Sequence, residues 1–151
     1  MSIQSLQHYR VQIEEQLKME LAGVTQQLLQ AEQSIARLGQ DLQLLESRYR
    51  EETTQGLTIE QLLQWQSHFE AQASAMEQAR RTQAHWQAQW DEARTKVVAA
   101  SQDRRTLDRL IERYREAAQN DLRRREQMTT DESAHHRYTG QGEARDETNQ
   151  R

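Results

Sequence analysis

The side chains with the widest chemical reach in this chain are five histidines, three tryptophans and a group of arginines in its last third. Imidazoles bind metals or move protons when they cluster with carboxylates or thiolates. The histidines are His8, His68, His85, His135 and His136. His135 and His136 are adjacent, so a helix cannot present both rings on one face. Asp131 and His135 are four apart and could touch one ion, but two ligands fall short of a site. Cysteine is absent, which removes thiol nucleophiles, thiolate ligands and disulfides. No glycine-rich phosphate loop and no common nucleophile motif is present. The expectation is a protein that is not an enzyme, with no catalytic residue, metal ligand or cofactor.

Residues 104–125 hold eight arginines against four acids, whereas residues 1–60 hold five Lys/Arg against nine Asp/Glu. Asp108, Glu112, Glu116 and Asp121 interrupt the basic stretch, and the net charge is -4. Nucleic acid is therefore not the expected partner; an acidic protein surface is.

These groups must be carried by helices. Proline is absent and glycine is limited to five residues, so little interrupts a helix. Mean hydropathy is -1.11 and only 34% of the residues are hydrophobic, too few for a globular core. A long helical object whose interior is a seam satisfies both facts. No run of 18 apolar residues exists, so no membrane-spanning helix is expected. The stretch Met1-Ser2-Ile3-Gln4-Ser5-Leu6 lacks a basic region followed by an apolar one, so no secretory signal is expected either. A cytoplasmic protein is the default.

From Leu17 the positions 17, 21, 24, 28, 31, 35, 38, 42, 45 and 49 are all apolar and alternate in steps of four and three. That is a coiled-coil seam. Ile3, Leu6 and Ile13 continue a stripe in another phase, which predicts a stutter near Leu17. The break follows at 53–58. Thr53 and Thr54 are expected to end the first helix. Thr58 with Gln61 forms a capping box, Leu57 and Leu62 a hydrophobic staple, and Gly56 can take a positive φ. The second seam runs through Leu62, Trp65, Phe69, Gln72, Met76, Ala79, Gln83, Trp86, Trp90, Ala93, Val97, Ala100, Arg104, Leu107 and Ile111. Its tryptophans thus read as core packing.

Folded at the turn, Tyr49 is expected to face Leu62, Leu45 to face Trp65, Leu42 to face Phe69 and Leu38 to face Gln72. The fold class is all-α, two long helices in an antiparallel coiled-coil hairpin with the second overhanging the first. The coiled coil is assigned to 1–138 and a disordered tail to 139–151. A monomer is expected; each helix pairing with a second copy is the alternative. Beyond Leu107 the overhang carries Leu110, Ile111, Tyr114, Ala118 and Leu122 among Arg109, Arg113, Arg115, Arg123, Arg124 and Arg125. An apolar stripe without an internal partner marks a contact site.

Gly56-Leu57-Thr58 at the turn, then Trp65-Gln66 and Phe69, resemble the FliJ family of the bacterial flagellar type III export apparatus. So does the closing stretch: Leu107, Leu110 and Arg113, then Arg124-Arg125-Glu126-Gln127 and Asp131-Glu132, ending near Arg137. The resemblance covers about 30–138. It implies a stalk and general chaperone that inserts into the hexameric export ATPase, contacts the export gate platform and handles substrate-chaperone complexes. It also implies a location at the cytoplasmic face of the inner membrane through the apparatus, without membrane insertion. The ring contact is assigned to Arg109, Ile111, Arg113, Tyr114, Arg123, Arg124 and Arg125. The gate contact, which the family places near the turn, is assigned to Leu42, Leu45, Tyr49 and His68. On the second helix this sequence offers His68, Gln72 and Ala75 around Phe69. The alternatives are a stalk protein of virulence type III secretion and a self-associating structural coiled coil.

Overall fold

The computed structural model describes residues 2–148, with side chains through residue 142. Two helices account for nearly all of it: α1, Ile3–Gln55, and α2, Ile59–Thr148. No strand is present among the described residues. The described residues divide into two compact units, Gln4–Arg104 and a second made of residues 2–3 with 105–148.

The first unit is an antiparallel hairpin. Contacts between the helices climb α1 as they descend α2: Arg10 with Asp103, Thr25 with Trp90, Leu38 with Gln72, Tyr49 with Trp65. All ten seam positions from Leu17 to Tyr49 are buried or half-buried, and so are those of α2 from Trp65 to Arg104. The heptad pattern therefore marks the packed faces of both helices. The packing is shallow: Leu28 and Ala31 on α1 and Ala100 on α2 are buried, and no large side chain is fully so. Two helices alone leave each seam residue open at its flanks, so stability is spread thinly along the interface.

The turn is built as the local chemistry dictates. Gly56 has φ of 90°, and its N–H donates to the Thr53 carbonyl at 3.2 Å. Thr58 and Gln61 close a reciprocal capping box: the Thr58 N–H donates to Gln61 Oε1 at 3.0 Å, and the Gln61 N–H to Thr58 Oγ1 at 3.2 Å. The helix ends later than the threonines suggest. Thr53 and Thr54 stay helical, and their hydroxyls donate back to the carbonyls of Tyr49 and Glu51 within the helix.

The expected contact of Leu38 with Gln72 is present, but the pairing beside the turn differs from the expected one. Tyr49 meets Trp65 and Phe69 rather than Leu62, which is 48% exposed. Leu62 lies four residues past the Thr58 cap, in the first turns of α2. The expected stutter also takes another form. Stepping down from Leu17 in unchanged phase gives Glu14, Arg10 and Gln7; Glu14 is buried and the other two are half-buried. The seam broadens there: polar occupants continue the old phase, and Leu6 and Ile13 of the expected second phase are half-buried beside them.

The second unit holds the remainder of α2. Leu107 is buried, Asp108 and Ile111 are half-buried, and residues 112–142 are exposed. The helix continues through Thr139 to Thr148, over most of the stretch expected as a disordered tail. Thr139 donates to the carbonyls of His135 and His136 there, before Gly140 and Gly142. Residues 149–151 lie outside the described residues.

Candidate functional site

Near the turn of the hairpin the side chains form an aromatic cluster. Tyr49 stands edge-on to Trp65, with centroids 5.6 Å apart, and to Phe69 at 5.5 Å. Trp65 also lies 6.1 Å from Phe69 and 6.0 Å from His68. Its indole N–H donates to Glu52 Oε2 at 2.7 Å, which ties the last turn of α1 to the second turn of α2. T-shaped contacts of this kind place positive ring edges on negative ring faces. Gln72 donates to the Leu38 carbonyl at 2.8 Å, and an open groove beside it is lined by Leu42, Phe69, Gln72, Ala73, Met76 and Arg80.

Of the four residues expected at a gate contact, Leu42, Leu45 and Tyr49 are half-buried seam members and only His68 is exposed. The apolar surface near the turn lies elsewhere. Ile59, Leu62 and Leu63 are 79%, 48% and 59% exposed and share one face of the first turns of α2. Sequence reasoning passed over them because Leu62 had been given to the seam and the staple.

In the second unit the arginine-rich part of α2 shows its side chains. Arg109, Arg113, Arg123, Arg124 and Arg125 are exposed, and Ile111 is half-buried. Leu110, Tyr114 and Leu122 are exposed large apolar residues, with Ala118 completing a stripe at steps of four. Arg125 pairs with Asp121 at 3.1 Å, a link within the same helix that leaves both side chains in water. Leu110, Tyr114, Ala118 and Leu122 thus share an apolar face with basic neighbours over four turns. Such an arrangement can dock onto an apolar groove with acidic walls.

A family model described as flagellar FliJ protein matches residues 2–143. The chain belongs to the FliJ family. No curated protein and no solved structure matches it. Membership makes this FliJ-family chain a component associated with flagellar export, from a family of non-enzymatic proteins. The match takes in the turn, both seams and the closing stretch to Arg137. No helix of the described residues is long and apolar enough to cross a membrane, and no group of three His, Cys, Asp or Glu among them could hold a metal ion.

One polar site of the FliJ-family hairpin was missed altogether. Glu14 is 4% exposed and uses both carboxylate oxygens. Oε1 accepts from Ser101 Oγ at 2.9 Å and pairs with Lys18 Nζ at 3.0 Å, while Oε2 accepts from Arg104 Nε. The Lys18 ammonium, then the Arg104 guanidinium and the Ser101 hydroxyl, hold the carboxyl down to about 2 from its ordinary 4.5. The signal was present in the sequence: an acid three residues before Leu17, a lysine four residues after it, and an arginine in the opposite seam.

Proposed function

We propose that this protein is the non-enzymatic stalk and general chaperone that couples the hexameric export ATPase to the export gate of the flagellar apparatus. The observation that carries the reading is the exposed stripe of Leu110, Tyr114 and Leu122 set among arginines on α2. Removing ~100 Å² of such surface from water is worth roughly 2.5 kcal/mol, which favours docking. Arg109, Arg113, Arg123, Arg124 and Arg125 steer the stripe toward an acidic pore, and Ile111 and Tyr114 seat in it.

At the turn, His68 with Ile59, Leu62 and Leu63 forms the accessible part of the gate contact. Leu42, Leu45 and Tyr49 act there by holding the aromatic cluster in place. The protein works as a monomer at the cytoplasmic face of the inner membrane, held by these partners and by substrate-chaperone complexes, without entering the bilayer.

The test is stimulation of the cognate export ATPase by the full chain carrying Leu110→Ala, Tyr114→Ala and Leu122→Ala. Stimulation is expected to fall to background while the melting temperature stays unchanged, because the three side chains are exposed. Full stimulation by the triple variant would remove this stripe as the ring contact.

A further inference from the structure

The seam of the hairpin changes character below Leu17. From Leu17 to Tyr49 every in-phase position of α1 is apolar, whereas Gln7, Arg10 and Glu14 hold those positions before it. The α2 seam residues of that stretch are mostly small or charged: Ala93, Val97, Ala100 and Arg104. A polar clasp joins the helices there. Glu14 holds Ser101 and Arg104 from α2 and Lys18 from α1, and Arg10 pairs with Asp103 at 3.3 Å. Packing beside it is incomplete. An open groove of about 250 Å³ lies between Ile13, Leu17 and Ala100, with Arg10, Lys96 and Asp103 also lining it.

We infer that residues 4–14 of α1 form a strap, latched onto α2 by the polar clasp, that opens while the hairpin from Leu17 to the turn stays closed. Opening bares Val97, Ala100 and Arg104 on α2. Each member of the clasp gains water as it parts, and rehydration of Glu14 and Arg104 offsets the lost attraction because no charge is left stranded in the seam. Arg10 and Asp103 are exposed on both sides, and such pairs hold weakly. Leu6, Val11 and Ile13 of the strap are only half-buried, so they give up part of a cover rather than all of it. Beyond Leu17 the balance reverses. Parting Thr25 from Trp90 or Leu38 from Gln72 carries successive apolar layers into water, with Leu28 and Ala31 buried among them. Opening therefore stops where those layers begin. The Lys18 and Arg104 side chains are 57% and 29% exposed, so dissolved anions reach them and compete with Glu14. Ionic strength loosens the latch and leaves the apolar layers alone.

The chain has no cysteine, so a single introduced thiol reports on one place. Ala100, 9% exposed, lies in the strapped stretch, and Ala31, 6% exposed, lies among the apolar layers. Full-length chains carrying Ala100→Cys or Ala31→Cys are labelled with a neutral alkylating reagent in the absence of denaturant. Each rate is divided by that of the same variant unfolded in urea, so that it reports the population of the open form. Val97→Cys and Val24→Cys, at half-buried valines, take their place if either alanine variant loses helix content.

Ala100→Cys is expected to react at least about tenfold faster than Ala31→Cys. Raising NaCl from about 0.05 M to about 0.5 M should speed it by a further factor of about three and leave Ala31→Cys unchanged. In the Glu14→Leu background, where Lys18 and Arg104 turn to water, that salt response should fall by at least about half. Equal rates at the two sites overturn the strap, because they show a single opening of the whole hairpin. An Ala100→Cys rate indifferent to salt, or a salt response that Glu14→Leu leaves intact, overturns the polar latch.

Discussion

Tyr49 and Trp65 meet edge to face, centroids 5.6 Å apart and planes at 70°, and this contact sets where the two seams begin to pair. Everything from Leu45 down α1 and from Phe69 along α2 follows its register. Tyr49→Ala should therefore destabilise the hairpin by about 2 kcal/mol, through lost burial and two lost ring contacts. Thermal or urea unfolding followed by helix content measures it. A change below about 0.5 kcal/mol would show that the cluster does not anchor the seam.

The turn offers two separable tests. Thr58→Ala removes the hydroxyl that accepts the Gln61 N–H and should cost about 1 kcal/mol. Gly56→Ala meets no atom within 4 Å of the added methyl, yet the φ of 90° is one that side-chain-bearing residues rarely adopt. It should cost about 1–2 kcal/mol from backbone strain alone. Neither variant should change ATPase stimulation at temperatures where the hairpin stays folded.

Acid should weaken the hairpin through Glu14. Its carboxyl is held down to about 2 in the folded chain against an ordinary 4.5, so the folded state favours the ionised form. The contribution is fully present above about 4.5 and is lost as pH falls toward 2. Unfolding curves for the native chain and for Glu14→Gln, taken from neutral pH down to acid, should converge across that window. Parallel curves would mean that the three partners do not favour the charged carboxylate.

Reversing Arg123, Arg124 and Arg125 to glutamate should slow association with the cognate ATPase, most of all at low salt, where screening is weakest. The three side chains are exposed, so helix content should not change. Stopped-flow binding at two ionic strengths checks both the size and the salt dependence. An unchanged association rate at low salt would remove these arginines from the steering surface.

What could be read in the sequence was the local chemistry and the periodicity. Thr58, Gln61 and Gly56 act on their near neighbours, so the turn is encoded in a few consecutive residues. Leu17 to Tyr49 repeats without exception, so the buried face of α1 was visible from the spacing alone. Register was harder, because whether Tyr49 sits on Leu62 or Trp65 depends on side-chain size and on where α1 stops. Glu14 escaped for a different reason: a search for apolar positions discards a carboxylate before asking what it faces. The proposed gate residues show a conflict inside the pattern itself. The spacing that makes Leu42, Leu45 and Tyr49 conspicuous is the spacing that half-buries them.

The partners of the hairpin differ greatly in how far apart they lie along the chain. Glu52 and Trp65 are 13 residues apart, Thr25 and Trp90 are 65, and Glu14 and Arg104 are 90. Closing a longer loop costs more chain entropy, and each contact already made shortens the next loop. Folding should thus begin beside Gly56 and close like a zipper, with the carboxylate cluster and then the Arg10–Asp103 pair the last to fasten. With no proline in the chain, no slow peptide isomerisation interrupts that run. Opening retraces it from the far side, so amide protons around Glu14 and Ser101 should exchange with solvent before those around Tyr49 and Trp65.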